Sequence, residues 1–279
     1  MSILDPKPGS RRPFRARQRA RGQRIVKLRQ VVPSAITTLA LCCGLASLHF
    51  SLVSEWEKAM LAILLSAILD TFDGLAARLL QAQSRFGAVL DSLADFLSFG
   101  VAPAMLLHQW MLKDADVFGI AAVMSFVLCS ALRLARFTSA PRRPRGNPAL
   151  AKFFVGMPTP AAAAVACIPP MIESCKLLHY RLDVWVVVVN TILIAVLMIS
   201  RVPMFALKHA RVRRKHVMWL LLGLGLIVVG LIRDGWLMTA AISAAYLLSI
   251  PLTWWQASQI KSRAAALQQA ENMEPPRGS

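Results

Sequence analysis

Charge is scarce in this chain: Asp, Glu, Lys and Arg make up only 16% of its 279 residues, against 56% hydrophobic ones, and the mean hydropathy is +0.54. That balance excludes a water-soluble domain of ordinary composition and leaves a polytopic membrane protein. Acids are scarcer still, 14 against 32 Lys and Arg, for a formal charge of +18. In a soluble protein such an excess points to nucleic acid. Here no nucleic acid is expected, because the hydrophobicity assigns the cations to anionic lipid headgroups and to topology. Cysteine is sparse as well. Cys42, Cys43, Cys129, Cys167 and Cys175 are scattered, mostly in apolar runs, with no CxxC spacing and no nearby His cluster, which argues against a disulfide framework or a zinc site. No cleavable leader is expected, since about thirty polar and basic residues precede the first apolar run and that run is long enough to span.

What is abundant is apolar sequence in lengths that fit a bilayer. A hydrocarbon core needs about 20 helical residues, and runs of that order recur at 31–53, 56–70, 87–110, 117–137, 153–174, 183–200, 217–232 and 236–256. The expected fold is all-α, a polytopic helical bundle with about eight transmembrane helices. The second run continues through Leu75, Ala76, Leu79 and Leu80, so its helix extends past the membrane surface. No internal repeat or heptad stands out. With the N-terminus inside, 27 of the 32 Lys and Arg fall on the inner side, leaving Lys58, Lys113, Lys176, Arg181 and Arg233 outside. Both termini are therefore expected on the cytoplasmic side of the inner membrane. The expected division is a basic tail over 1–30, a membrane domain over 31–208, two further transmembrane helices over 209–256 and a second tail over 257–279. The first tail and the Pro-rich basic loop 140–152 lack apolar periodicity and suit an anionic leaflet.

Ten of the acids sit in the tails or at expected outer helix ends. The other four are Asp70, Asp73, Asp91 and Asp95. An Asp inside a transmembrane helix costs about 2.5–3.5 kcal/mol on insertion scales, so four together need a reason. Asp70 and Asp73 are i,i+3, and Asp91 and Asp95 are i,i+4, so each pair projects from one face of its helix. The helices are consecutive and joined by a short cytoplasmic connection, which lets the pairs face each other. Four like charges so close repel, and a divalent cation that prefers hard oxygen ligands, Mg²⁺ or Mn²⁺, resolves the repulsion. Gly74, Ala77 and Gly87 put small residues on the same faces. Arg78 and Ser84 add a cation and a hydroxyl at the mouth. Small, acidic and then basic suits a metal-bound diphosphate.

Asp70-Thr-Phe-Asp73-Gly74-Leu-Ala-Ala77-Arg78, eight residues, then Gly87-Ala-Val-Leu-Asp91-Ser-Leu-Ala-Asp95 resembles, at every fixed position, the motif of the CDP-alcohol phosphatidyltransferase family. Segments 91–103, Arg133-Leu-Ala-Arg136-Phe, 152–161 and Leu197-Met-Ile-Ser200 look like its serine-using branch. The resemblance covers about residues 31–208. It departs from that branch at Ser34, Ala40 and Thr138, where Asn is usual. It implies a helical membrane enzyme that transfers the phosphatidyl group of CDP-diacylglycerol to L-serine, releasing CMP, and a homodimer among membrane lipids. Asp70, Asp73, Asp91 and Asp95 would ligate Mg²⁺ or Mn²⁺, with Asp95 also the general base. Gly74, Arg78 and Ser84 would contact the CDP moiety. Arg133 and Arg136, i,i+3 on the fourth helix, offer a clamp for the acceptor carboxylate. Glycerol 3-phosphate, inositol or inositol phosphate are the alternative acceptors.

Other mechanisms fit less well. No His is followed two residues later by Lys, so the phospholipase D motif is missing. No His or Ser is placed with a base in the motif for a covalent route. Intramembrane carboxylates also mark cation or proton transporters, but all four acids lie near one membrane face and no acids continue a path across. A non-catalytic lipid-binding scaffold would not need four acids at metal-ligand spacing.

Overall fold

The structure is a computed structural model that describes residues 28–80, 85–139, 153–175, 182–200, 203–205 and 217–251. Residues 1–27 of the first tail, the second tail and the basic loop 140–152 lie outside the described residues, and α1 takes up the last three residues of the first tail. Helix α1 (Leu28–Leu52) is followed by α2 (Trp56–Leu79). Next comes α3 (Arg85–Asp95), which passes through a π turn at Phe96–Val101 into α4 (Ala102–Trp110). A 3₁₀ turn at Leu112–Ala115 leads to α5 (Asp116–Ser139). Among the described residues four stretches are long and apolar enough to cross a membrane: Val31–Leu52, Trp56–Leu79, Phe86–Trp110 and Leu112–Ser139. The second runs past 70 as expected, to Leu79.

The fifth expected span, 153–174, is not one helix. It is a strand β1 (Phe153–Val155), a turn, and two short helices, α6 (Thr159–Ala166) and α7 (Ile168–Glu173). Proline explains the break. Pro158 caps α6, Pro160 sits in its first turn, and Pro169 and Pro170 open α7, so a continuous ladder would lack donors at four places. Helix α8 (Val184–Ile199) follows, with Asp183 accepting from the Trp185 backbone N–H at 3.1 Å as its N-cap. A second strand β2 (Pro203–Phe205) pairs antiparallel with β1, Phe153 opposite Phe205 and Val155 opposite Pro203. This two-stranded ribbon is the one β pairing among the described residues. Helices α9 (Val217–Arg233) and α10 (Gly235–Pro251) close the chain, and Asp234 caps α10 through the Leu237 N–H at 3.2 Å.

Packing is organised by α1. Its buried positions are Pro33, Thr37, Ala40, Gly44, Ser47 and Ser51, alternating steps of four and three, so one narrow face of small residues meets α2, α3, the π turn and α4. In lipid, where apolar burial drives little helix association, small residues that let backbones approach supply the contact. A Cβ on Gly44 would lie 2.3 Å from Ser98 Oγ, so glycine is required there. Ser66 Oγ donates to the Ala40 carbonyl at 2.9 Å, and Ser98 Oγ donates to the same oxygen at 3.5 Å. The apolar core sits toward the N-terminal half of α2, where Ala59, Met60 and Ile63 meet Leu106, Leu107, Phe126 and Met171. Outward-facing Leu61, Leu65, Ile68 and Phe72 of α2 are exposed, as a lipid-facing surface is. The acidic end of the α2–α3 hairpin lies beyond this core.

Candidate active site

Helix α3 is cleanly divided. Phe86, Val89 and Leu93 line its exposed apolar stripe, while Asp91 and Asp95 lie on another face. Helix α2 brings Asp70 across from them. One carboxylate oxygen each of Asp70, Asp91 and Asp95 lie within 4.8 Å of one another, and all three residues are half-buried. At that range two full negative charges repel by about 3–4 kcal/mol at an effective dielectric of about 20. No ion pair joins Asp70, Asp73, Asp91 or Asp95 to a Lys or Arg among the described residues. Among the described residues the cluster is thus not neutralised by a cationic side chain in contact with it. An all-oxygen carboxylate set left in this condition fits a hard divalent cation.

Asp73 is turned another way. It is buried, and its Oδ2 accepts a hydrogen bond from Thr37 Oγ1 on α1. It stays within electrostatic reach of Asp70 and Asp91 without joining their group of three. Thr37 is the Thr that this chain keeps where the serine-using branch reads Pro-Asn-x-x-Thr-x-x-Asn, between the departures at Ser34 and Ala40, and that kept position is the signal that could have placed it.

The π turn begins at the residue after Asp95, and the Ala102 N–H reaches back to the Leu97 carbonyl. Pro103 supplies the cause, since it cannot donate back along the helix and its ring crowds the preceding turn. The widened turn lets the span continue through that defect. It also turns Ser98 and Gly100 inward, where Gly100 packs against Ser130 of α5.

Gly74 stands one turn after Asp70. It is exposed, and a Cβ there would meet nothing within 4 Å, so the space above the acidic pair is open. Arg78 is exposed one turn further on. Ser84 lies outside the described residues. Between α3 and α5 runs a groove of about 960 Å³, walled by Val89, Leu93, Phe96, Leu134 and Phe137 and carrying Asp91, Asp95, Ser92 and Thr138 as its polar members.

The two arginines of α5 part company. Arg133 is half-buried within electrostatic reach of Asp95, and its Nη1 donates to Thr159 Oγ1 at 3.4 Å. Arg136 is exposed and donates from Nη1 to the Ile199 carbonyl at 3.1 Å, at the C-terminus of α8. Thr159 reaches Arg133 because Gly156 turns the chain in the left-handed region, φ +83°, with space for a Cβ limited to 3.1 Å by the Met198 and Ser200 carbonyls.

A helical membrane protein with a carboxylate cluster at the mouth of a hairpin, an open glycine face and an adjoining apolar groove is built to act on a lipid that carries charged phosphate. The chain belongs to the CDP-alcohol phosphatidyltransferase family. That family's model matches residues 30–196, and the model described as CDP-alcohol phosphatidyltransferase 2 matches 215–251. Among curated relatives, CDP-diacylglycerol–serine O-phosphatidyltransferase of Mycobacterium tuberculosis (strain ATCC 25618 / H37Rv) is 37% identical over 237 residues, 83% of this chain and 80% of that protein. The protein of the same name from Bacillus subtilis (strain 168) is 32% identical over 190 residues, 67% of this chain and 98% of the relative. That from Methanocaldococcus jannaschii is 40% identical over 138 residues, 50% and 59% respectively.

Proposed function

We infer that this chain transfers the phosphatidyl group of CDP-diacylglycerol to the hydroxyl of L-serine, giving phosphatidylserine and CMP. The carrying observation is the cluster of Asp70, Asp91 and Asp95, unneutralised among the described residues, beside the open face of Gly74. The names of the relatives support serine as acceptor over glycerol 3-phosphate, inositol or inositol phosphate. Asp70, Asp73, Asp91 and Asp95 are the residues that would hold a divalent cation, Mg²⁺ or Mn²⁺. Bound there, such an ion supplies Lewis acidity toward the diphosphate and offsets charge on the departing CMP.

The protein's own groups do the rest. Asp95 takes the proton from the serine hydroxyl as that oxygen forms its bond to the β-phosphorus and the bond to the CMP oxygen breaks. Gly74 leaves room for the CMP moiety, and Arg78, with Ser84, grips its phosphate. Arg133, and Arg136 beside it, attract the serine carboxylate. The groove between α3 and α5, apolar but for a few polar members next to the acids, suits a substrate with acyl chains and a charged head. Eight crossings, both termini and the site on the cytoplasmic side of the inner membrane, the division into 1–30, 31–208, 209–256 and 257–279, and assembly as a homodimer complete the reading.

The test uses the purified full chain with CDP-diacylglycerol and L-serine. Phosphatidylserine should appear with one equivalent of CMP, stop in EDTA and resume on adding excess Mg²⁺ or Mn²⁺. Full activity in chelator contradicts the metal assignment, and the absence of phosphatidylserine with metal present contradicts the transfer itself.

A further inference from the structure

Arg133 and Arg136 are alike in sequence and unlike in what they spend. Arg136 gives a hydrogen bond to a backbone carbonyl at the end of α8 and is otherwise exposed. Arg133 gives Nη1 to Thr159, whereas its Nε is buried and has no hydrogen-bond partner. In a guanidinium, Nε and Nη2 make up one edge, and Nη1 lies off it. The bond to Thr159 therefore holds the group by its far corner and leaves free the edge that takes a carboxylate through two parallel N–H bonds. A buried donor without a partner is costly unless something else completes it. Asp95 lies within electrostatic reach but makes no ion pair with the guanidinium.

A third group acts on the same guanidinium through its charge distribution. Tyr246 of α10 is half-buried against the core, and its phenol is within electrostatic reach of Arg133. Helices α5 and α6 thus meet at a guanidinium within electrostatic reach of Asp95, and α10, which brings the Tyr246 phenol within the same reach, belongs to the segment 209–256, whose part in the chemistry the sequence does not indicate.

We propose that Thr159 and Tyr246 set acceptor specificity with Arg133: Thr159 is the positioning residue that aims the free Nε edge at the α-carboxylate of an amino-acid acceptor, and Tyr246 is the phenol that the C-terminal helix pair brings within reach of that guanidinium. This rests on the serine-transfer reading. A planar carboxylate matches the edge, and an amino alcohol without a carboxylate, such as ethanolamine, has nothing to offer it. Arg136, engaged at α8, adds its charge beside the pocket and not an edge within it.

The test is steady-state CMP release by the full chain in detergent, with serine and CDP-diacylglycerol varied separately, for wild type, Thr159→Val, Thr159→Ser and Tyr246→Phe. Thr159→Val should raise the serine KM about tenfold, the scale of one lost hydrogen bond to a charged group, with the CDP-diacylglycerol KM moving less than about twofold. Thr159→Ser should return the serine KM toward wild type. Tyr246→Phe should raise it in the same sense by a smaller factor, and the preference for serine over ethanolamine should narrow in Thr159→Val and in Tyr246→Phe. An unmoved serine KM in Thr159→Val, a parallel rise in both KM values, or no recovery in Thr159→Ser overturns the pocket. Should Thr159→Val fail to accumulate, an unchanged serine KM in Tyr246→Phe does the same. Wild type that releases no CMP with serine overturns the transfer reading and the pocket with it; serine-dependent wild type with insensitive variants overturns the pocket alone.

Discussion

Asp70, Asp73, Asp91 and Asp95 were legible as a group because their spacing and their cost in a membrane both demanded a partner, but spacing alone gave all four the same role. The Thr37 hydroxyl separates Asp73 from the cluster of three, and a contact from a different helix leaves no mark in the motif itself. Asp95 is expected to carry the proton transfer. Asp95→Asn keeps the shape and removes the base, so kcat should fall by about 10²-fold or more, the range of a lost general base, with CDP-diacylglycerol binding retained; near wild-type turnover removes Asp95 from that role. Gly74 tests the open face. A Cβ there meets nothing within 4 Å among the described residues, and Val is a slightly better helix residue than Gly, so Gly74→Val should leave thermal stability unchanged or a little higher while raising the CDP-diacylglycerol KM. Unchanged kinetics would show that the substrate does not pass over this position.

Among the elements, hydropathy located nearly every helix and misread one. The run 153–174 is apolar enough to span, yet its prolines forbid a single ladder, and a window average does not register where the N–H groups are missing. The β1–β2 ribbon was illegible for a related reason, since three-residue strands from segments some fifty residues apart carry no periodicity. Together the ribbon and Gly156 place Thr159 at the start of α6. An alanine at 156 must hold a left-handed φ, at about 1–2 kcal/mol, and bring its Cβ to 3.1 Å from two carbonyl oxygens. Gly156→Ala should therefore lower the unfolding temperature in detergent and raise the serine KM, with differential scanning fluorimetry and CMP release as the readouts. Unaltered stability would show that this turn relaxes freely.

For the whole molecule, the excess of Lys and Arg on one side of the expected spans predicts an orientation that the packing of helices by itself does not encode. Eight crossings require both termini on one side. A fluorescent reporter that folds only in the cytoplasm, fused to either end, should light up in both cases, and a dark C-terminal fusion at normal expression would mean an odd number of crossings. The central claim is chemical, and an acceptor panel tests it most directly. Purified full-length protein with CDP-diacylglycerol and Mn²⁺ should release CMP rapidly with L-serine and only slowly with glycerol 3-phosphate, inositol, inositol phosphate or ethanolamine. CMP release that is independent of serine, or faster with glycerol 3-phosphate than with serine, would contradict it.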